Sequence, residues 1–501
     1  MTLISGKRAR ILVVPVLLAF LIIATCASSL DGTASIASYG TIDYSDVFSE
    51  VYRKSELRGV LVKFLGQYAH DDDLICQTLA SYGFNAVYLE VNPFCWTDSM
   101  LSQFPDMISA CKKHGLDFHV LFLFYWYDAS AGSDPDWRMV DSNGNYVNWC
   151  CLQRASTRAR VKQVIETMLT NFPDIVDINL DYIRYPAGEG GIDSYSVCYC
   201  DECKAAFLQW LTDNSKTFTG NWADYYHDGS HWAEYAEWRC EPINNIVRDV
   251  RQWALAINSH VLITADVWSP YAGWTPDTYK EFIGQDPAYW ISQGWLDAVN
   301  PMRYADSMSR VQQLQDVIQY WTGAEKGAVP LVPFISPGSP GSGISPVSTD
   351  FWVQEIDYLR QIGCNGFIIW RYCGPGFDET GTKLDITPYL AAIRDSCAKG
   401  AYPVFTQSQP LITDSLITWW TSLPTTGTVE YSQTPMFTAT SKNGSLLPYV
   451  DIDYVPGTIL SESAPTQNHE ITVPLSPPFY FRMRDVDPNV ELASPVYLNT
   501  G

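Results

Sequence analysis

Between residues 58 and 372 the chain alternates short apolar runs with longer segments whose apolar residues recur every third or fourth position. The runs RGVLVKF (58–64), NAVYLEV (85–91), DFHVLFLF (117–124), VDINLDY (176–182), VLITADV (261–267), LDAVNPMRY (296–304), LVPFI (331–335) and GFIIWRY (366–372) have the length and the β-branched and aromatic content of strands. Helix patterns fall between them, beginning with DDDLICQTLASYG and a segment around 101–114. Val161, Val164, Ile165, Met168 and Leu169 then share one helical face. So do Ile243, Ile246, Val247 and Val250, with Pro242 expected near the start of that helix. Further helices are expected around 309–321, 350–362 and 386–396.

Eight strands, each followed by a helix, predict an α/β fold: a (β/α)8 TIM barrel with insertions, over about residues 55–400. A doubly wound sheet would more often show a glycine-rich first turn, and none is present. SPGSPGSGISP (336–346) has the composition of a linker, but the eighth strand follows it. It therefore reads as a mobile loop over the barrel mouth. From about residue 405 the texture changes to SLITWWTS, GTVEYS, HEITVPL and FYFRMRDV separated by Pro, Gly and Ser, with no cysteine. This predicts a small C-terminal all-β sandwich over 405–501. LITWWTSLPTTGTVEYS resembles the early strands of fibronectin type III-like modules appended to exported enzymes.

The first thirty residues stand outside this scheme. Lys7, Arg8 and Arg10 precede ILVVPVLLAFLIIAT, which is followed by CASSLDG. This is the pattern of a secretory signal or of an uncleaved membrane anchor. The expected location is secreted, or anchored to the outer face of the cell membrane. Removing Cys26 from 13 cysteines leaves 12, an even number that suits disulfides in an oxidising compartment. Cys150 and Cys151 would then pair with different partners. A metal is the alternative, with Cys198, Cys200 and Cys203 as ligands and Cys240 as the fourth.

Charge narrows the partners. With 55 acidic and 32 basic residues, the net charge of −23 disfavours nucleic acid and anionic lipid. The 18 Trp, 30 Tyr and 21 Phe could stack on sugar rings, though a large β-rich core also uses them. No nucleotide, haem or flavin motif is visible, so no cofactor is expected.

In a barrel, function sits at the C-terminal ends of the strands, and side chains alternate between the axis and the helices. Ile178 and Leu180 suit the helix side, which turns Asn179 and Asp181 inward. Val261, Ile263, Ala265 and Val267 do the same for Leu262, Thr264 and Asp266. Val87, Leu89 and Val91 leave Tyr88 and Glu90 inward. Three strands thus bring Asp181, Asp266 and Glu90 towards one mouth. Like charges forced together separate their pKa values, and paired carboxylates suit glycoside hydrolysis, one as proton donor and the other as nucleophile or base. Arg184, Arg303 and Arg371 follow the fourth, sixth and eighth strands as candidate substrate-binding or ion-pairing groups. Tyr185, Tyr304 and Trp370 are candidate stacking surfaces, although alternation favours the helix side for Trp370. His119 reads as a core histidine.

INLDYIRYP, ITADVWSP and YWISQGWLDAVNPMRY together resemble an uncharacterised glycoside hydrolase family with a TIM-barrel fold. Its members carry an Asp-Tyr-x-Arg-aromatic-Pro motif after the fourth strand. The resemblance spans about residues 55–400 and implies hydrolysis of a polysaccharide or glycoconjugate, with Asp181 foremost and Asp266, Arg184, Met302 and Tyr304 around it. The insertion at 187–240 departs from a minimal barrel. Two rival readings are a non-catalytic carbohydrate-binding or cell-envelope protein, and a hydrolase whose zinc is held by the cysteines.

Overall fold

The computed structural model describes residues 34–35, 56–63, 69–94, 104–124, 137–269, 276–321, 329–338, 345–362, 364–375, 377–378, 384–398, 410–443, 447–486, 491–493 and 497–499. The leader and the middle of the 336–346 segment lie outside the described residues. Among those described, no helix is long and apolar enough to cross a membrane.

Eight parallel strands close into a barrel: β1 (Leu57–Val62), β2 (Ala86–Val91), β3 (Asp117–Leu123), β4 (Asp177–Asp181), β5 (Leu262–Trp268), β6 (Ala298–Met302), β7 (Phe334–Ile335) and β8 (Gly366–Ile369), with β8 pairing back to β1. Helices α1 (Asp72–Ser81), α2 (Phe104–His114) and α3 (Ala155–Asn171) cross over between the first four strands. The insertion after β4 holds α4 (Asp201–Asp213) and α5 (Trp232–Leu255). Then follow α6 (Pro276–Ile283), α7 (Pro287–Ser292), α8 (Met308–Trp321), α9 (Thr349–Gln361) and α10 (Thr387–Ala398). The fold is a TIM barrel with insertions, as the strand and helix periodicity predicts.

The two faces of each strand separate as alternation requires. Val87, Leu89, Ile178, Leu180, Ile263 and Ala265 join the layer between strands and helices. Leu61, Tyr88, Leu121, Leu262, Ala298 and Phe334 fill the barrel axis. Gly59 makes room there, because a Cβ would come within 2.7 Å of the Tyr88 ring.

A local rule fails at Pro242. Pro242 lies well inside α5 rather than at its start, because the helix begins ten residues earlier at Trp232. Pro242, Ile243 and Val250 are all buried, so tertiary packing carries the helix through the proline. At the described ends of the 336–346 segment the Val347 N–H donates to the Pro337 carbonyl at 3.0 Å.

The C-terminal region is all-β and antiparallel. SLITWWTS and GTVEYS are not separate strands but one, Leu416–Ser432, whose register shifts between Trp420 and Thr425. Its first half pairs with Leu411–Thr413 and Thr466–Thr472, its second with Thr458–Ser461 and Phe479–Val486. Ile417, Trp419, Val429, Phe479, Phe481 and Met483 form the core of this region. A smaller sheet pairs Phe437–Asn443 with Pro448–Tyr454 and with Ala34–Ser35. Pro448–Tyr454 lies against α6, α7 and α8 of the barrel.

Candidate active site

A polar column runs up the barrel axis. At its base Asp177 accepts hydrogen bonds from Thr264 Oγ1 at 3.0 and 3.1 Å and meets His119 Nδ1 at 3.1 Å. The Tyr88 ring stacks on His119 at 4.3 Å, so His119 is a core residue, as its position in β3 suggests. One layer up, Asn179 Nδ2 donates to Thr264 Oγ1, Asp266 Oδ1 and Asn300 Oδ1 at 2.9 to 3.0 Å. Asn300 Nδ2 in turn donates to the Val332 carbonyl at 2.9 Å. This network fixes the Asp266 carboxyl, which is only 2% exposed.

Asp181 stands at the rim, half-buried, on the same face of β4. Its Oδ1 accepts the Tyr182 N–H at 2.6 Å. Tyr182 has a left-handed backbone (φ 55°), and the Arg184 N–H closes back onto the Tyr182 carbonyl at 2.7 Å. This tight turn ends the strand and breaks its alternation. Burial raises the Asp181 carboxyl to about 7, against the opposing charge of Arg184 and the Tyr182 N–H; Glu90 and Glu189 push it further up. Burial and the charge of Asp181 also hold the Asp266 carboxyl well above the usual carboxylate range, while Asn179 opposes them. The two aspartates sit on adjacent strands and titrate as a pair, with Glu90 on the same side of the barrel.

The surrounding candidates divide. Tyr304 lies within electrostatic reach of the pair, and burial together with the charges of Asp181 and Asp266 raises its hydroxyl. Its ring packs on Trp370 at 5.3 Å, and both rings lie against the barrel-axis cluster with Met302. Trp370 therefore faces inward and not towards the helices, because Ile368 rather than Ile369 is the inward residue of β8. The Arg371 guanidinium lies 5.7 Å from the Trp370 ring centre.

Arg184 is buried and ion-paired to Glu189 at 2.5 Å, with its guanidinium 4.9 Å from the Tyr182 ring and 5.1 Å from Trp268. It shapes the rim as a braced cation.

Two candidates face elsewhere. Tyr185 is 2% exposed and packs behind the rim under Arg239, whose guanidinium is 4.0 Å from its ring. The turn after Asp181 carries it into the core. Arg303 has the parity of Val299 and points to the helix layer, where it donates to the Arg310 carbonyl at 2.7 Å and Gln313 Oε1 at 2.8 Å. Neither is placed to touch a ligand in the mouth.

Three residues at the rim escape the alternation argument. Gln285 is fully buried and clamps two strand ends: its Nε2 donates to the Asp266 and Ile183 carbonyls at 3.1 and 3.3 Å, and its Oε1 accepts the Trp268 N–H at 3.0 Å. Trp268 and Tyr182 supply further half-buried rings. Trp268 lies within ITADVWSP and Tyr182 within INLDYIRYP, so both were within reach of the motifs. Gln285 precedes a helix far along the chain and carries no local signal.

The cysteines depart from the disulfide expectation. No described cysteine is in a disulfide; the sulfurs of Cys151 and Cys203 are 3.4 Å apart and those of Cys151 and Cys200 are 3.7 Å apart, against about 2.05 Å for a bond. Four buried sulfurs, those of Cys151, Cys198, Cys200 and Cys203, lie within 4.8 Å of one another. Cys240 is not the fourth member: its sulfur lies 3.9 Å from the Ala236 and Lys280 carbonyls instead. Cys151 escaped the spacing argument because it reaches the cluster from the other side of α3.

No family model and no curated protein matches the chain by sequence. Solved structures match it by fold. A β-galactosidase from the Antarctic haloarchaeon Halorubrum lacusprofundi superposes with a TM-score of 0.52 at 12% identity, over 72% of this chain and 60% of that one. A GH42 β-galactosidase from G. stearothermophilus superposes with a TM-score of 0.50 at 10% identity, over 70% of this chain and 58% of that one. The chain thus spans under two thirds of the length of these glycosidases and shares their TIM-barrel architecture.

Proposed function

We propose that the protein is a glycoside hydrolase whose working groups are Asp181 and Asp266, with Glu90 as the third carboxylate of the mouth. The observation that carries this reading is a pair of carboxyls on adjacent strand ends, both raised by burial: Glu90 and Glu189 add to the rise at Asp181, and the charge of Asp181 adds to it at Asp266. Such a pair keeps a proton near neutral pH, because losing both would leave two charges in one desolvated site. Glycosidic cleavage needs that state: one carboxyl protonates the leaving oxygen while its ionised neighbour attacks the anomeric carbon or activates water.

The rest of the rim suits a sugar. Tyr304, Trp370, Tyr182 and Trp268 supply ring faces for the C–H side of a pyranose. Arg184 and Arg371 supply N–H donors for hydroxyls. The glycosidases among the fold neighbours support a carbohydrate substrate, here a polysaccharide or glycoconjugate met outside the cell. The C-terminal β region, as a fibronectin type III-like module, would hold the sugar or the cell envelope.

The test is hydrolysis across a panel of aryl glycosides and polysaccharides, with Asp181→Asn as the control. Turnover by the native chain that disappears in the variant, with its melting transition intact, is the expected result. Binding of a glycan without turnover by the native chain would leave only the carbohydrate-binding reading.

A further inference from the structure

We propose that Cys151, Cys198, Cys200 and Cys203 form a tetrathiolate site for a structural zinc ion that joins the segment after β3 to the insertion after β4. The dimensions fit. Zinc–thiolate bonds of about 2.3 Å directed to the corners of a tetrahedron place the sulfurs about 3.8 Å apart. The observed separations are 3.4 and 3.7 Å for Cys151 with Cys203 and Cys200, and all four sulfurs lie within 4.8 Å of one another. Two disulfides would need only pairwise approach and would not require four sulfurs to converge on one point. All four thiols are buried, and a site with four protein sulfurs and no nitrogen or oxygen ligand selects a soft, tetrahedral ion.

Hydrogen-bond donors and a cation lie beside the sulfurs. The Val140 N–H donates to Cys198 Sγ at 3.4 Å. Cys200 is the N-cap of α4, and Cys203 lies in its first turn, so the positive end of the helix faces the sulfurs. Arg154 lies within electrostatic reach of Cys151, Cys198 and Cys200. Zinc binding releases the thiol protons to solvent, and the net negative site that results is balanced by these donors and by Arg154.

Four protein ligands close the coordination sphere, so the ion is structural and does not serve hydrolysis. Its role follows from what it joins. Cys151 follows the hairpin Arg138–Val140 and Tyr146–Cys150, and the other three ligands lie in the β4 insertion around the start of α4. The same two segments meet through the Tyr199 N–H to Val140 carbonyl bond at 2.8 Å and the Trp149 Nε1 to Arg184 carbonyl bond at 3.3 Å. Zinc would hold this wall behind Arg184 and Tyr185. The site stands whether or not the barrel mouth hydrolyses glycosides.

The test is metal analysis of the full chain, purified without chelator or reductant. About one zinc per chain is expected, with the four cluster thiols reacting only after denaturation in chelator. Cys203→Ser and Cys151→Ser should lower bound zinc about tenfold or more, whereas Cys240→Ser, equally buried but outside the cluster, should keep it. Cobalt exchanged into the native protein should show intense thiolate-to-metal charge transfer and the visible bands of tetrahedral coordination, a readout that does not depend on any variant folding. Non-reducing peptide maps that link Cys151 to Cys198, Cys200 or Cys203 in zinc-free protein would overturn the proposal. So would iron in place of zinc, or full zinc retention by Cys203→Ser.

Discussion

Asp177 and Asp181 lie on the same strand, four residues apart, and face the same barrel axis, yet they are set up for opposite tasks. Asp177 is 1% exposed and its oxygens are engaged by His119 and Thr264. Asp181, at the rim, accepts one local N–H, and the cation nearest to it is already paired with Glu189. Glu90 and Glu189 add like charge beside it. Burial raises both carboxyls, but at Asp177 His119 and Thr264 oppose the rise and engage both oxygens, as in a packing element, whereas at Asp181 Glu90 and Glu189 add to it and leave a proton that can be given away. Alternation along β4 selects both residues equally. Only the partners, which come from β3, β5 and the loop after β4, tell them apart.

The sharpest way to break this contrast is to neutralise each aspartate in turn. Asp181→Asn and Asp266→Asn should each lower kcat/KM by on the order of 10²–10⁴-fold, with the melting transition preserved. Asp177→Asn should do the reverse, losing about 1–3 kcal/mol of stability while activity stays within about tenfold. Steady-state kinetics and thermal melts on the three variants decide it, and equal activity losses at 177 and 181 would erase the distinction.

The same contrast has a pH signature. Asp181 titrates near 7 in the folded chain against 3.8 for an ordinary aspartate, so the folded state holds this proton more tightly than the unfolded one. The stabilisation from that proton is complete below about pH 4 and is lost as the pH rises through about 7. Asp181→Asn removes this loss. The difference in Tm, variant minus native, should therefore grow in the variant's favour between about pH 4 and 7 and level off above. A difference that is flat with pH would mean that the carboxyl is not perturbed.

The barrel was legible because strand and helix periods are written locally, one element at a time. The inward positions of Asn179, Asp181, Thr264, Asp266 and Glu90 followed from β-branched neighbours facing the helices. Alternation failed where strands end. The left-handed turn at Tyr182 sent Tyr185 into the core, and the β8 pattern, apolar on both faces, gave Trp370 the helix-facing parity when Ile368 and Trp370 in fact face inward. Arg303 was misplaced for a related reason: it extends β6 past its last paired residue and keeps the helix-facing parity of Val299. Contacts made across long sequence gaps, such as Gln285 with Asp266 and Cys151 with Cys203, have no local signature.

Gln285 offers a finer cut, because its amide grips the backbone of both strand ends. Gln285→Ala should loosen Asp266 relative to Asp181 and lower kcat by about 10–100-fold with little change in KM. The alkaline limb of the pH–rate profile, where the pair loses its last proton, should shift towards lower pH as the two carboxyls move apart. A residue that merely stabilised the fold would lower Tm and leave that limb in place.

The smallest effects should separate the inward ring from the outward cation. Trp370→Ala removes a stacking face from the mouth. At about 0.5–1.5 kcal/mol for such a contact, KM should rise about two- to tenfold with kcat nearly unchanged. Arg303→Lys keeps a charge in the helix layer but loses the fork that binds the Arg310 carbonyl and Gln313 together. It should lower Tm and leave KM within about twofold, because no part of Arg303 faces the barrel axis. If Arg303→Lys changed KM as much as Trp370→Ala, strand alternation at the end of β6 would have been read with the wrong parity, and the floor of the sugar site would have to extend between β6 and β7.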